Sequence, residues 1–247
     1  MTVELAIENL AGHCAAVLAA HGLPGNRTSV LSLTPHALDI PFPNAITLGG
    51  RDRATEQFDE IREFVARRLS RASTGVVDAY SCLDLSPLDF EVLFSDPWLV
   101  REPGPMEMVT PDGLSISEAA TSEDLQDFEA AAAAGFEASN NVGIYPDVLL
   151  RDPRYRFFLG WSGSEIASGV VSFTTEQAVG IYSLFTLPHA RRQGYGDATV
   201  RAALTESPPL PAVTNASNMS VKLFGRLGFD QVGTRTIWVR PGDGSNR

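Results

Sequence analysis

Two arginines and two glycines stand close together in the stretch FTLPHARRQGYGDAT, Phe185–Thr199. An apolar run meets Pro188, which holds the residue before it extended. Gly194-Tyr195-Gly196 then opens a helical pattern. Lacking Cβ atoms, Gly194 and Gly196 let backbone amides approach an anion closely. Those amides are the unsatisfied donors of a helix N-terminus, where the dipole also favours negative charge. Arg191 and Arg192 add fork-shaped donors that match phosphate oxygens. The chemistry indicated is the grip of a phosphate-bearing ligand; taken alone, the stretch also reads as a glycine-containing turn with a solvated basic edge. It is not a dinucleotide fingerprint, because the third glycine is missing. Other reactive groups form no such pattern. Cys14 and Cys82 are far apart and read as small apolar core residues. His13, His21, His36 and His189 lack metal-ligand spacing, so no metal is expected.

The elements that must position this junction follow from periodicity. The runs YRFFLGW, EIASGVVSFTT and AVGIYSLFT alternate as strands joined by short turns, an antiparallel meander leading into the junction. After it, a helix must stop by Pro208-Pro209, PAVTNAS is a strand, NMSVKLFGRL a short helix and FDQVGTRTIWVR a closing strand. Upstream, LSISEA is a strand, and Thr121 with Asp124 has capping-box spacing ahead of Leu125, Phe128, Ala132 and Phe136. In the first half, 3–21 reads as a helix ending at Gly22. TSVLSL and NAITL are extended, and a helix over 53–71 aligns Phe58, Ile61, Val65 and Leu69. GVVDAY, FEVLF and WLVR are read as three strands. The Pro- and Gly-rich segment 101–113 is the candidate boundary between domains. LDFEVLFSDPWLVR (88–101) and LGFDQVGTRTIWVR (227–240) echo one another, as the ends of two related units would.

With 247 residues, the chain can bury one large core or two small ones. A net charge of −11 argues against a nucleic-acid or anionic-membrane binder, since the field would repel a polyanion. Glu4 and Glu8 interrupt the apolar N-terminus, so it is not read as a signal peptide. No apolar run is expected to reach the length of a membrane span. Single cysteines suit a reducing compartment, and a cytoplasmic location is expected.

The pattern Thr186-Leu187-Pro188-His189-Ala190-Arg191-Arg192-Gln193-Gly194-Tyr195-Gly196 resembles the motif of the GNAT superfamily of acetyl-CoA-dependent N-acetyltransferases, in which a strand runs into Val-x-Pro-x-x-Arg-x-x-Gly-x-Gly/Ala and a helix; only the first position departs, Thr186 for Val. Leu223-Phe224-Gly225-Arg226-Leu227-Gly228-Phe229 resembles the family's later signature, in the right order and separation. The resemblance covers roughly 113–240. It implies an α+β fold with a mixed, mostly antiparallel sheet flanked by helices. In tandem relatives two such units follow one another, and the division expected here is 1–105 for a degenerate unit, 106–240 for the competent one and 241–247 for a tail.

The resemblance also implies roles. Phe185, Thr186 and Leu187 would lie on the splayed strand that pairs with the pantetheine arm of acetyl-CoA. Arg191, Arg192, Gln193, Gly194, Tyr195, Gly196, Asp197 and Ala198 would wrap its pyrophosphate. Ser217 and Phe224 fall at cofactor-contacting positions. Where many relatives carry a tyrosine that protonates the departing thiolate, Phe224 has no hydroxyl. Where relatives place a base, this chain has Gly180 and Tyr182. Tyr182 is thus the catalytic candidate, with a pocket-lining aromatic the favoured alternative. Asn140, Asn141 and Tyr145 are candidates for lining the acceptor site. The implied reaction is direct attack by a small-molecule amine on the thioester. A non-catalytic acyl-CoA sensor and a protein N-acetyltransferase are the rivals. A homodimer would be unsurprising, and the first half would either wall the acceptor cleft or serve stability alone.

Overall fold

The computed structural model describes residues 2–36, 41–67, 72–137, 143–217 and 219–242. Among these residues, alternating apolar side chains build one sheet of eleven strands, in the order β1-β2-β3-β4-β11-β5-β10-β9-β8-β7-β6. The strands are β1 (Asn26–Arg27), β2 (Leu31–Leu33), β3 (Ala45–Thr47), β4 (Thr74–Asp78), β5 (Glu91–Arg101), β6 (Leu114–Glu118), β7 (Tyr155–Ser162), β8 (Glu165–Thr174), β9 (Val179–Thr186), β10 (Ala212–Asn215) and β11 (Asp230–Arg240). Only β3 with β4 and β9 with β10 run parallel; the other neighbours are antiparallel. The helices are α1 (Val3–Ala20), α2 (Ala54–Arg67), α3 (Ser122–Gly135), α4 (Tyr195–Thr205) and α5 (Val221–Arg226). This is the mixed, mostly antiparallel α+β sheet that the resemblance implies.

Strand alternation decides which helix covers which face. Phe157, Leu159, Val171, Phe173 and Tyr182 point into one core with Ile7, Leu10 and Val17 of α1 and Leu125 and Phe128 of α3. Their neighbours Phe158, Val170, Val179 and Ile181 point the other way, into a core with Val200 and Ala203 of α4 and Phe224 of α5. α2 covers that second face further along, through Ile61 against Val76 and Trp238. The N-terminus of α3 is fixed as its residues dictate: the Thr121 side chain accepts from the Asp124 amide, and the Asp124 carboxylate accepts from the Thr121 amide.

Two expectations need correction, and a third falls partly outside the described residues. FEVLF and WLVR are one continuous strand, β5, that runs through Pro97. Proline is tolerated because its ring nitrogen faces the side where β10 has already ended; the Pro97 carbonyl on that side accepts from Ala216, beyond the end of β10. The helix expected over 53–71 is α2, which runs from Ala54 to Arg67, and Leu69 lies outside the described residues. Finally, α1 has 18 residues and a mean hydropathy of 1.3, long and apolar enough to cross a membrane by length and composition. Half of it is buried against the sheet, and that packing accounts for its apolar face.

Candidate active site

The parallel contact between β9 and β10 is brief. Val179 faces Ala212 and Gly180 faces Val213, and the strands then diverge. The Thr214 hydroxyl donates to the Ile181 carbonyl at 2.7 Å, closing the ladder where the splay begins. Beyond it opens a cleft of about 490 Å³. One wall is Ile181–Leu184 of β9; the other is Thr214 and Asn215 of β10 with Ser217, Ser220 and Phe224. A bulge distorts the first wall: Gly169 faces Phe185 and Val171 faces Tyr182, so Ser183 and Leu184 share one opposing residue. Ser183 takes φ 49°, the left-handed conformation that such a bulge needs. Its hydroxyl is 2.7 Å from that of Tyr145, which holds the bulge from behind.

At its far end β9 runs into the arginine–glycine turn. Gly194 caps α4 with φ 81°, a conformation costly for any residue with a Cβ. By helix geometry the first amides of α4 have no partner within the helix. Gly196 lies so close to β9 that a Cβ there would stand 2.7 Å from Thr186 Oγ1. The Arg191 guanidinium donates to the carbonyls of Thr186 and Gly135, both at 3.1 Å, so it fastens the turn to β9 and to the end of α3. Arg192 is exposed on a left-handed residue. The Gln193 amide donates to the His189 carbonyl, and Asp197 pairs with Arg201 at 2.6 Å. The side chains of Tyr195 and Ala198 are buried with Leu114, Ala167 and Ala190, and Phe185 packs edge-on against Phe128. Those three residues therefore offer a ligand backbone groups, not side chains. The Leu187 amide is bonded to the Ala167 carbonyl at 2.9 Å.

Residues 124–237 match the acetyltransferase (GNAT) domain family. The chain's fold is similar over nearly its whole length to a GCN5-related N-acetyltransferase from Kribbella flavida, with TM-score 0.66, 17% identity, and 95% of this chain and 96% of that one covered. A GNAT-family protein from Novosphingobium aromaticivorans gives TM-score 0.60 at 13% identity, covering 94% of this chain and 96% of that one. A GCN5-related N-acetyltransferase from Sphaerobacter thermophilus gives 0.60 at 12%, covering 95% and 93%. No curated protein sequence matches the chain.

Around the cleft the groups that could move a proton are sparse. Phe224 lines the cleft 2% exposed, packed edge-on against Phe229. The Tyr182 hydroxyl donates to Asn9 Oδ1 of α1 at 2.7 Å, and its ring stacks on His13 at 4.4 Å. Burial pushes the Tyr182 phenol well above its ordinary pKa. A phenol so held does not serve as a base, which favours the pocket-lining role. The empty side-chain position at Gly180 has a steric cause: a Cβ there would stand 2.1 Å from Asn9 Oδ1 and 2.3 Å from the Tyr182 ring. Asn9 of the N-terminal helix thus occupies the space beside Gly180. Tyr145 is buried behind β9, touching the cleft only through Ser183. Asn140 and Asn141 lie outside the described residues.

Sequence reasoning missed the floor of the cleft. Phe94, Ser95 and Asp96 of β5 and Arg235 of β11 line it. All four lie inside the two echoing segments, which was the available signal, but the echo alone does not say that β5 and β11 pair with each other. Among the described residues no group of three or more His, Cys, Asp or Glu could hold a metal ion.

Proposed function

We propose that this chain transfers an acetyl group from acetyl-CoA to the amine of a small-molecule acceptor, by direct attack in a ternary complex. The observation that carries this reading is the continuity of the cleft: β9 parts from β10, bulges at Ser183, and leads directly into a glycine-capped helix N-terminus. The residues fit the donor, since the left-handed Gly194 caps a helix N-terminus whose first amides have no partner within the helix and would meet a pyrophosphate. The thioester supplies the acyl group. The free amides of the splayed β9 wall would bind the arm and donate to the carbonyl oxygen as the amine nitrogen bonds to its carbon. The carbon–sulfur bond then breaks and the sulfur leaves as a thiolate. Phe224 offers it no proton, so the amine's proton reaches sulfur through solvent, a step eased by the low basicity of a thiolate with a pKa near ~8.5.

Phe224, Gly180 and the Asn9-bound Tyr182 also favour a second reading, a protein that binds acyl-CoA without turnover. One pair of measurements separates the two. Calorimetric titration with acetyl-CoA is expected to give one site per chain, and an amine screen is expected to release free CoA thiol. Binding without thiol release across the screen would support the sensor; no binding at millimolar acetyl-CoA would overturn both. We further read 1–105 and 106–240 as two related units, supported by the matching parallel pairs β3/β4 and β9/β10, whose strands are joined by helices, α2 and α4, on the same face of the sheet.

A further inference from the structure

Among the described residues lining the cleft only two carry formal charge, Asp96 of β5 and Arg235 of β11. They face one another across the strands and are joined twice, Nε to Oδ1 at 2.5 Å and Nη2 to Oδ2 at 3.0 Å. Each side chain is under a tenth exposed, yet both reach the cleft. The guanidinium lies 5.3 Å over the ring of Trp98, whose indole donates to the Ala79 carbonyl at 2.8 Å. The pair is therefore fixed in place before any ligand arrives. Its two hydrogen bonds leave further N–H donors on Arg235 and further lone pairs on Asp96 unused. A donor set and an acceptor set of opposite charge thus stand side by side. Near them the rings of Phe94 and Phe136 are each 47% exposed, an apolar surface facing the cleft.

The complement of such a floor is a zwitterion with an apolar body. A polycation would find a single carboxylate whose charge is already matched. A simple amine would leave the guanidinium donors without a partner, and leaving charged donors unmet in a desolvated site is costly. Resting on the N-acetyltransferase reading of this cleft, we propose that the acceptor is a free α-amino acid with an apolar or aromatic side chain. Its amino group meets Asp96, its carboxylate meets Arg235, and its side chain lies against Phe94 and Phe136.

The test uses the full chain, acetyl-CoA and a thiol-release assay with three acceptors: L-phenylalanine, phenethylamine (the same molecule without its carboxylate) and spermidine. L-Phenylalanine is expected to be used with kcat/KM at least about 100-fold above the other two. Asp96→Leu/Arg235→Met replaces the pair by apolar side chains, a change that buried ion pairs commonly tolerate. That variant is expected to keep its melting temperature and acetyl-CoA affinity while losing at least about 100-fold in kcat/KM for L-phenylalanine. Equal use of phenethylamine, preference for spermidine, or full activity of the double variant overturns the assignment while the acetyltransferase reading stands. Failure of the parent chain to bind acetyl-CoA overturns both.

Discussion

At Phe224 the missing hydroxyl is a single oxygen in a wall that is otherwise complete. The ring is buried against Phe229 with its neighbours Ser217 and Ser220 also on the cleft. Positioned acids typically contribute about 10²–10⁴-fold, and a thiolate is a fair leaving group unaided, so the gain available lies toward the lower end of that range. Phe224→Tyr is expected to raise kcat for a working acceptor by roughly 100-fold. Steady-state rates at saturating acetyl-CoA check it, and an unchanged kcat would mean that protonation of sulfur does not limit turnover. His13 is a different kind of residue. It is 2% exposed, its Nδ1 is 3.1 Å from the Tyr155 hydroxyl, and burial pushes its pKa down to about 3. In the unfolded chain it would titrate at its ordinary 6.5. Between these values the unfolded state binds more protons, so stability rises with pH through that window and is lost as pH falls below 6.5. At pH 5 the expected loss relative to neutral pH is about 2 kcal/mol. Urea unfolding at pH 7.5 and pH 5.0 of the parent and of His13→Gln isolates the contribution; an equal pH slope in both would refute it.

The turn before α4 shows what an element can reveal about itself. Its glycines, arginines and proline are all within a dozen residues, so the sequence stretch already contains every part of the local geometry. The same holds for the Thr121–Asp124 capping box and the β7–β8–β9 meander, whose signals are short-range. Gly194→Ala follows from that geometry. At φ 81° an alanine costs about 1–2 kcal/mol, and its Cβ would press to 3.3 Å from Pro111 Cγ. The strain is relieved by moving the cap, and with it the amides that face the ligand. The variant is expected to bind acetyl-CoA roughly tenfold more weakly or worse, with a small drop in melting temperature. A calorimetric affinity equal to the parent's would show that Gly194 is needed only for the turn. What no element could reveal is its distant partner. Gly180 reads as an unfilled catalytic position until Asn9, far away in sequence, is seen filling it. Pro97 reads as a strand breaker until β10 is seen to end beside it.

On the scale of the whole molecule the two echoing segments exchange places. β5, from the first half, lies between β10 and β11; β11, from the second half, lies between β5 and β4. The cleft is consequently built from both halves, with Asp96 and Arg235 meeting across that central pair. Alternation assigns each strand its face but does not specify this order, because either echoing strand has the residues to pair with either neighbour. The exchange makes the halves depend on each other. Residues 106–247 expressed alone would lose α1 and β1–β5, leaving β10 without its antiparallel neighbour and β11 with neither of the strands it pairs with. The face of Tyr182, Phe173 and Val171 would also be stripped of α1. Exposed strand edges and an uncovered apolar face favour aggregation over folding. We therefore expect 106–247 alone to show no cooperative thermal transition and no acetyl-CoA binding, and co-expression with 1–105 to restore both in a non-covalent complex. A cooperative melt with intact acetyl-CoA affinity for 106–247 alone would show instead that β5 decorates a self-sufficient domain. In that case the floor of the cleft would be an addition to the site and not part of its frame.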